Sequence, residues 1–173
     1  MKELILKKLK PHLILREGVR NYVYKDTLGK LTGGVGHLIL PKDNLNYRDP
    51  IDKDAIDKWL DIDAGRAVDA ALIQAKEMDV SDVDFIVALA SVNFQLGAGW
   101  TKKFSNTWGL LKRGRYFEAV DNIEKSLWAK QTPVRVRDFC AAIKMLALTK
   151  PKKKVQTTGK IVRMNFNKGK NNA

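Results

Sequence analysis

Apolar residues recur at helical spacing along most of the chain, and the longest such stretch lies within 51–80. It opens at Asp52, a residue type that caps helix starts, and it predicts one long helix in which Gly65 is the weakest point. A helix of this length bridges two parts of a fold. The apolar stripe that carries the prediction consists of Ile56, Trp59, Leu60, Ala67, Val68, Ala71 and Leu72.

The segment 81–149 continues the helical pattern in shorter pieces. Ser81 with Asp84 three residues later predicts the start of one helix, and Gly97 predicts its end. The later helices are predicted over 103–112, 116–128 and, after Thr132-Pro133, 134–148. Three tryptophans at helical spacing are predicted to lie in the core, with the last of them deepest: Trp100, Trp108 and Trp128.

The first fifty residues have a mixed pattern. Residues 1–10 predict a basic helical lead-in, and a short helix is predicted to begin near Pro11 and to stop at Gly18. A strand through Tyr22, Val23 and Tyr24 then leads into a hairpin turn over 25–29. We therefore expect an α+β chain that is mostly α-helical, with a hairpin-containing lobe over 11–50 and a helical lobe over 81–149.

The most informative stretch is EGVRNYVYKDTLGKLTGGVGH, which contains Glu17, Asp26 and Thr32. Glu17 falls in a last helical turn, where the helix dipole disfavours a carboxylate and favours the protonated acid. Asp26 would project from the hairpin towards that helix end. Either carboxyl group alone is usually only a capping or solvated residue. Together they suit glycoside hydrolysis, in which one group protonates the leaving oxygen and the other serves water.

The spacing of these residues resembles the signature of phage-type lysozymes, the endolysin muramidases of the T-even bacteriophage class. The blocks E-G-x-R, Y-K-D-T-x-G and T-x-G-x-G-H-L occur here in the same order, and similarity extends over about residues 8–148. The resemblance implies a two-lobed lysozyme-like fold. It also implies an N-acetylmuramidase that inverts at the anomeric carbon when it cuts the β-1,4 bond between N-acetylmuramic acid and N-acetylglucosamine.

Individual roles follow from the resemblance. Glu17 corresponds to the general acid, Asp26 to the carboxylate that positions or deprotonates water, and Thr32 to a hydroxyl that helps to hold this water. The residues that match glycan-cleft positions or their neighbours are Leu38, Phe94, Gln95, Thr107, Asn122 and Thr132. The supporting residues are His37 with its partner Asp63, and Arg135, which pairs with the acid. The chain departs from the family pattern at Arg16, where an acidic residue is common, and at Gly33, where Ile is usual.

Composition adds a net charge of +13 over 173 residues. Eight of the positive charges, with no acidic residue among them, fall in a tail over 150–173: Lys150, Lys152, Lys153, Lys154, Lys160, Arg163, Lys168 and Lys170. Such a tail is equally typical of a solvated segment and of one that binds an anionic polymer. We expect contact with an outer membrane or its lipopolysaccharide. The alternative to an enzyme is a binding module, either a lysozyme-like fold kept as a virion or wall-docking component or a nucleic-acid binder that uses the tail. The tail offers only Phe166 for base stacking, so specific nucleic-acid binding is not expected.

The remaining expectations concern environment and partners. Cys140 is a lone cysteine in an apolar run and is predicted to be a core residue, so neither a disulfide nor a metal site is expected, and no cofactor. The lysines within 1–10 interrupt any secretory signal, and no apolar run is long enough to span a membrane. We expect a monomer that acts on peptidoglycan and stays in the host cytoplasm until a holin releases it.

Overall fold

The computed structural model describes residues 1–149, and the predicted basic tail lies outside the described residues. Helices dominate, and a three-stranded antiparallel sheet of order β1-β2-β3 follows the first helix, so the predicted α+β fold is confirmed. The elements are α1 (Lys2–Glu17), β1 (Arg20–Lys25), β2 (Leu31–Gly34), β3 (His37–Leu38), α2 (Lys53–Glu77), α3 (Val83–Leu96), α4 (Trp100–Lys103), α5 (Ser105–Lys112), α6 (Tyr116–Glu124), α7 (Leu127–Gln131) and α8 (Pro133–Thr149).

The first helix differs from its prediction. Helix α1 begins at Lys2, and Pro11 lies inside it, so the prediction of a short helix that begins near Pro11 was wrong. A proline inside a helix removes one backbone hydrogen bond and is unfavourable there. Against this cost, Ile5, Leu9 and Leu13 recur every four residues on one face and are completely buried. Burial of that face keeps the residues of the predicted lead-in helical.

Gly18 ends α1 and fixes where the chain turns towards the sheet. Its backbone N–H donates to the Ile14 carbonyl at 2.9 Å, with φ 72° and ψ 178°. This backbone conformation is essentially restricted to glycine. Glu17 is therefore held in the last turn of the helix, as predicted.

We expect Gly18→Ala to lower the free energy of unfolding by about 1–3 kcal/mol, because alanine would be strained in this conformation. A Cβ at Gly18 would meet no atom within 4 Å, so the cost lies in the backbone alone. Gly99→Ala is the matched control, since Gly99 has equally open space and a φ of −72°. Urea unfolding of both variants measures the difference, and equal stabilities would contradict the assignment of strain to Gly18.

The hairpin has the predicted turn. Asp26 N–H donates to the Lys30 carbonyl and Gly29 N–H to the Asp26 carbonyl, both at 2.9 Å, and Gly29 has a φ of 77°. In β2, a Cβ on Gly33 would clash with the end of the Ile51 side chain. Glycine at this position therefore leaves room for Ile51, which is buried.

Helix α2 connects the sheet to the helical part of the chain. Asp52 caps it as predicted, with its Oδ1 accepting a hydrogen bond from the Ala55 N–H at 2.8 Å. The helix runs through Gly65 without a break and packs against α1, α3 and β2. Ala64, which the predicted stripe omitted, is fully buried among the predicted apolar residues.

Three predicted helix boundaries after α2 were wrong. The cap of α3 is Asp82, which accepts from Phe85 N–H at 2.7 Å, and not Ser81 one position earlier. Phe104, with φ −110° and ψ 50°, separates α4 from α5. Ser126 caps α7, so the stretch predicted as a single helix over 116–128 is divided. The predicted end of α3 at Gly97 and the opening of α8 at Pro133 are confirmed.

The tryptophans lie in the core as predicted, but Trp128 is not the deepest of them. Trp100 is 2% exposed against 5% for Trp128, and its Nε1 donates to Asn93 Oδ1 at 3.0 Å. It packs edge-on to Trp108 and Phe139, with ring centroids 5.8 and 5.9 Å away. Cys140 is a buried core residue as predicted, and its burial raises the pKa of the thiol to about 11.

Candidate active site

Glu17 lies at the end of α1 and faces α8. Its Oε1 accepts a hydrogen bond from Arg135 Nη2 at 2.7 Å, as the family resemblance implied. The Glu17 side chain is 28% exposed, whereas that of Arg135 is only 9% exposed. Gly36 brings the backbone close to the same carboxyl group, since a Cβ built on it would lie 3.9 Å from Glu17. The carboxyl group is thus paired on one side and open to solvent on the other.

Burial and neighbouring negative charges act in opposite directions on the pKa of the Arg135 guanidinium. Burial lowers its pKa from the usual arginine value, while the negative charges of Glu17 and Asp138 act in the opposite direction. Its Nη1 is buried and has no hydrogen-bond partner among residues 1–149. Arg16, the departure from the family pattern, does not pair with Glu17. It donates instead to both carboxylate oxygens of Asp138, at 2.6 and 2.9 Å.

Asp26 lies in the hairpin turn, and its two carboxylate oxygens have different surroundings. Its Oδ1 accepts hydrogen bonds from the backbone N–H groups of Leu28 and Lys30, both at 2.8 Å. Within the described part of the chain, Oδ2 accepts no hydrogen bond. One oxygen is therefore held by the turn, and the other is left to accept from a ligand or a water molecule.

Thr32 lies beside Asp26 because of the strand register. Its partner across the sheet is Tyr24, two residues before Asp26, and on its other side it pairs with Leu38. The Thr32 side chain is buried, and its Oγ1 donates to the Lys30 carbonyl at 3.2 Å. Since the hydroxyl uses its hydrogen in that bond, its lone pairs remain available to accept from water.

Tyr24 links the two carboxyl groups electrostatically. Burial raises the pKa of its phenol, the Arg20 guanidinium lowers it, and the negative charges of Glu17 and Asp26 each raise it further. The phenol therefore lies within electrostatic range of both carboxylates. Along the sheet, Asp26 lies in the turn between β1 and β2, Thr32 lies opposite Tyr24, and Glu17 lies beside Gly36 in the turn between β2 and β3.

His37, in β3, contacts several residues outside the sheet. Its Nδ1 lies 2.6 Å from Asp63 Oδ2, the partner implied by the resemblance, and its ring stacks on Trp59 at a centroid distance of 4.4 Å. Its Nε2 is buried, without a hydrogen bond among the described residues, 3.6 Å from Asp43 Oδ2. His37 therefore joins β3 to α2. Sequence reasoning missed Asp43 and Trp59, since neither forms part of a recognisable motif.

The residues expected to contact the glycan separate into three groups. Leu38 and Phe94 line the same groove of about 370 Å3, which runs between the sheet and α3 past His37, and Leu38 is 45% exposed. This groove adjoins Gly36, and Gly36 is next to Glu17. Leu38 and Phe94 therefore share a groove that adjoins the backbone beside Glu17.

Gln95 lies on the side of α3 that faces α7 and α8. Its Oε1 accepts from Trp128 Nε1 at 3.2 Å, and its Nε2 donates to Thr132 Oγ1 at 3.1 Å. Gln95 lines a second cavity of about 310 Å3 together with Arg135. Gln95 and Thr132 are thus joined to each other and lie on the side of α3 that faces α8.

Thr107 and Asn122 form the third group. Thr107 Oγ1 donates to Asn122 Oδ1 at 2.7 Å and ties α5 to α6. Thr107 is only 1% exposed, whereas Asn122 is exposed. In this arrangement Asn122 is the member of the pair that a ligand can reach.

Comparison with known proteins now gives the class of this chain: it belongs to the phage lysozyme family, whose profile matches residues 15–140. The family identified from the sequence is thereby confirmed. One relative is the peptidoglycan hydrolase gp36 of Pseudomonas phage phiKMV, 32% identical over 124 residues. Another is the probable T4-type lysozyme 2 of Dictyostelium discoideum, 26% identical over 149 residues.

The alignments cover very different shares of the two relatives' lengths. The alignment with the phage relative covers 71% of this chain but 14% of that protein, so the chain spans about a seventh of its length. The alignment with the Dictyostelium relative covers 73% of this chain and 88% of that protein. No helix within residues 1–149 is both long enough and apolar enough to cross a membrane.

Proposed function

We propose that this protein is an N-acetylmuramidase that hydrolyses the β-1,4 bond between N-acetylmuramic acid and N-acetylglucosamine in bacterial peptidoglycan. The observation that carries the proposal is that the charges of Glu17 and Asp26 both act on Tyr24, whose partner across the sheet is Thr32, and that an open groove adjoins Gly36 beside Glu17. Family membership and the name of the phage relative, a peptidoglycan hydrolase, support the same substrate.

In the proposed mechanism, Glu17 is the general acid that protonates the glycosidic oxygen. Arg135, 2.7 Å away, stabilises the carboxylate that remains after the proton has left. Asp26 accepts a proton from the attacking water through its unoccupied Oδ2, while Oδ1 stays bonded to the turn. Thr32 accepts a hydrogen bond from the same water. Leu38, Phe94 and Asn122 contact the sugar chain.

The mechanism predicts inversion at the anomeric carbon. If Asp26 activates water and does not attack carbon, hydrolysis of a β-linked oligosaccharide releases the α-anomer first. Proton NMR of a soluble glycan during the first minutes of digestion, before mutarotation equilibrates the product, distinguishes the two anomers. Appearance of the β-anomer first, or a glycosyl group trapped on Asp26, would contradict the proposed role of Asp26.

We further propose that the enzyme acts as an endolysin that degrades the wall of the host cell and reaches it through a membrane lesion made by a holin. Ile5 and Leu9 of helix α1 are fully buried in the core. Removal of this segment would expose that core.

A further inference from the structure

Two ion pairs join the end of α1 to the start of α8. In one pair the arginine lies on α1, and in the other it lies on α8. Arg16 of α1 donates to both oxygens of Asp138, at 2.6 and 2.9 Å. The next residue, Glu17, accepts from Arg135 at 2.7 Å. Arg135 and Asp138 are three residues apart on α8 and hence lie on the same helix face. The two helices therefore hold four charges of alternating sign.

We propose that Arg16 and Asp138 are positioning residues that set the pH range over which Glu17 carries its proton, by keeping each charge with its own partner. The inference rests on the proposed role of Glu17 as general acid. Both residues act through the Glu17–Arg135 pair.

Loss of Arg16 would give Asp138 a new partner. Arg135 lies one turn away on the same helix, and its Nη1 is buried without a hydrogen bond among residues 1–149. This free donor would turn to Asp138, and Arg135 would stabilise the Glu17 carboxylate less. Glu17 would then keep its proton to a higher pH, because a positive charge that favours its ionised form has weakened.

Loss of the Asp138 charge would have the opposite effect. Arg16 is adjacent to Glu17 in the chain and would have no carboxylate partner left on α8. Two guanidinium groups, Arg16 and Arg135, would then act on one carboxyl group. Glu17 would lose its proton at a lower pH, and the acid form needed for catalysis would be depleted sooner as the pH rises.

Other titratable groups near these pairs do not cancel the effect. His12 lies 3.8 Å from Asp138 and 3.2 Å from Ser91 Oγ, and burial lowers its pKa, so it is neutral at neutral pH. From the sheet, Tyr24 and its neighbours Arg20 and Asp26 act on the same region. The phenol of Tyr24 has a raised pKa and stays neutral, and none of the variants below replaces Arg20 or Asp26.

The test compares the pH dependence of wall hydrolysis for Arg16→Gln, Asp138→Asn and the double variant. The upper pH limit of activity should move up by about half to one pH unit for Arg16→Gln and down by a similar amount for Asp138→Asn. The double variant has lost both charges and should return towards the wild-type limit. Lys2→Gln and Asp69→Asn are matched controls, since this pair also joins α1 to another helix but lies at its far end.

NMR titration of the Glu17 carboxyl carbon in the same proteins measures proton loss directly, without requiring activity. Opposite shifts in the two single variants, with recovery in the double variant, support the proposal. Shifts of the same sign, or no shift in folded variants whose stability alone is reduced, would overturn it. An inactive wild-type protein would contradict the proposed function, and the NMR titration would still decide the role of Arg16 and Asp138.

Discussion

Replacement of Glu17 by glutamine will reduce hydrolysis of purified peptidoglycan by about 10²–10⁴-fold, the usual contribution of a general acid. The amide cannot donate a proton to the leaving oxygen. The variant should still fold, because the glutamine carbonyl can accept the hydrogen bond that Arg135 Nη2 donates to Glu17 Oε1 at 2.7 Å. Release of reducing sugar from purified sacculi measures the rate, and circular dichroism checks the fold.

Glu3→Gln provides the control for this substitution. Glu3 lies in the first turn of the same helix and is exposed, so its replacement removes the same charge without touching the site. Its activity should stay close to that of the wild type. Near-wild-type hydrolysis by a folded Glu17→Gln protein would rule out Glu17 as the acid, whatever the behaviour of the control.

The largest effect on stability is expected for Trp100→Ala, which should lower the free energy of unfolding by about 3–5 kcal/mol. Trp100 is among the largest fully buried side chains and contacts Phe104, Trp108 and Phe139. Its removal leaves a cavity and takes away the hydrogen bond to Asn93 Oδ1. Since domains of this size are stable by about 5–15 kcal/mol, the loss is a large share of the total.

Phe117→Ala separates this cavity effect from the general loss of an aromatic ring. Phe117 is 61% exposed on α6, and its replacement should change the stability by less than about 0.5 kcal/mol. Both variants are compared by urea unfolding at one pH. A loss at Trp100 no greater than that at Phe117 would contradict the central place of Trp100 in the core.

Local chemistry explains which parts of the fold were predictable. Gly18 stops α1 because of its backbone conformation, Asp52 caps α2 through its own side chain, and Gly29 allows the hairpin turn. Each of these signals acts within a few residues of the feature it determines. A single sequence therefore contains the whole cause, and the prediction succeeds.

Other features depend on distant contacts and could not be predicted in this way. Helix α1 passes through Pro11 because Ile5 and Leu9 are buried against the rest of the chain. Ser81 and Asp82 are both good capping residues, and the local sequence does not decide between them; the structure has Asp82 as the cap. Trp100 and Trp128 both contact Phe104 and Phe139, but only Trp100 also packs on Trp108, and it is the more buried of the two.

The candidate site was accessible from sequence to different degrees. The spacing of Glu17 and Asp26 indicated paired carboxyl groups, and the family resemblance named Arg135 and Asp63 as partners that do make contact. Asp138 could not be found this way. It lies 122 residues from Arg16, and a lone Asp in a helix carries no signal of its partner.

Gly33 is another case in which a contact with a distant part of the chain matters. A Cβ at this position would clash with the end of the Ile51 side chain, which is buried. The sequence shows a glycine in a predicted hairpin region, but it does not show which side chain occupies the space beside it.

The most direct test of the proposed activity is to identify the sugar at each new reducing end after digestion of purified sacculi. Borohydride reduction of the digest labels these ends, and mass spectrometry distinguishes the two reduced amino sugars. The proposed muramidase gives reduced N-acetylmuramic acid at the new ends with wild-type protein and almost none with Glu17→Gln. Reduced N-acetylglucosamine, release of stem peptides without glycan cleavage, or no products would contradict the proposal.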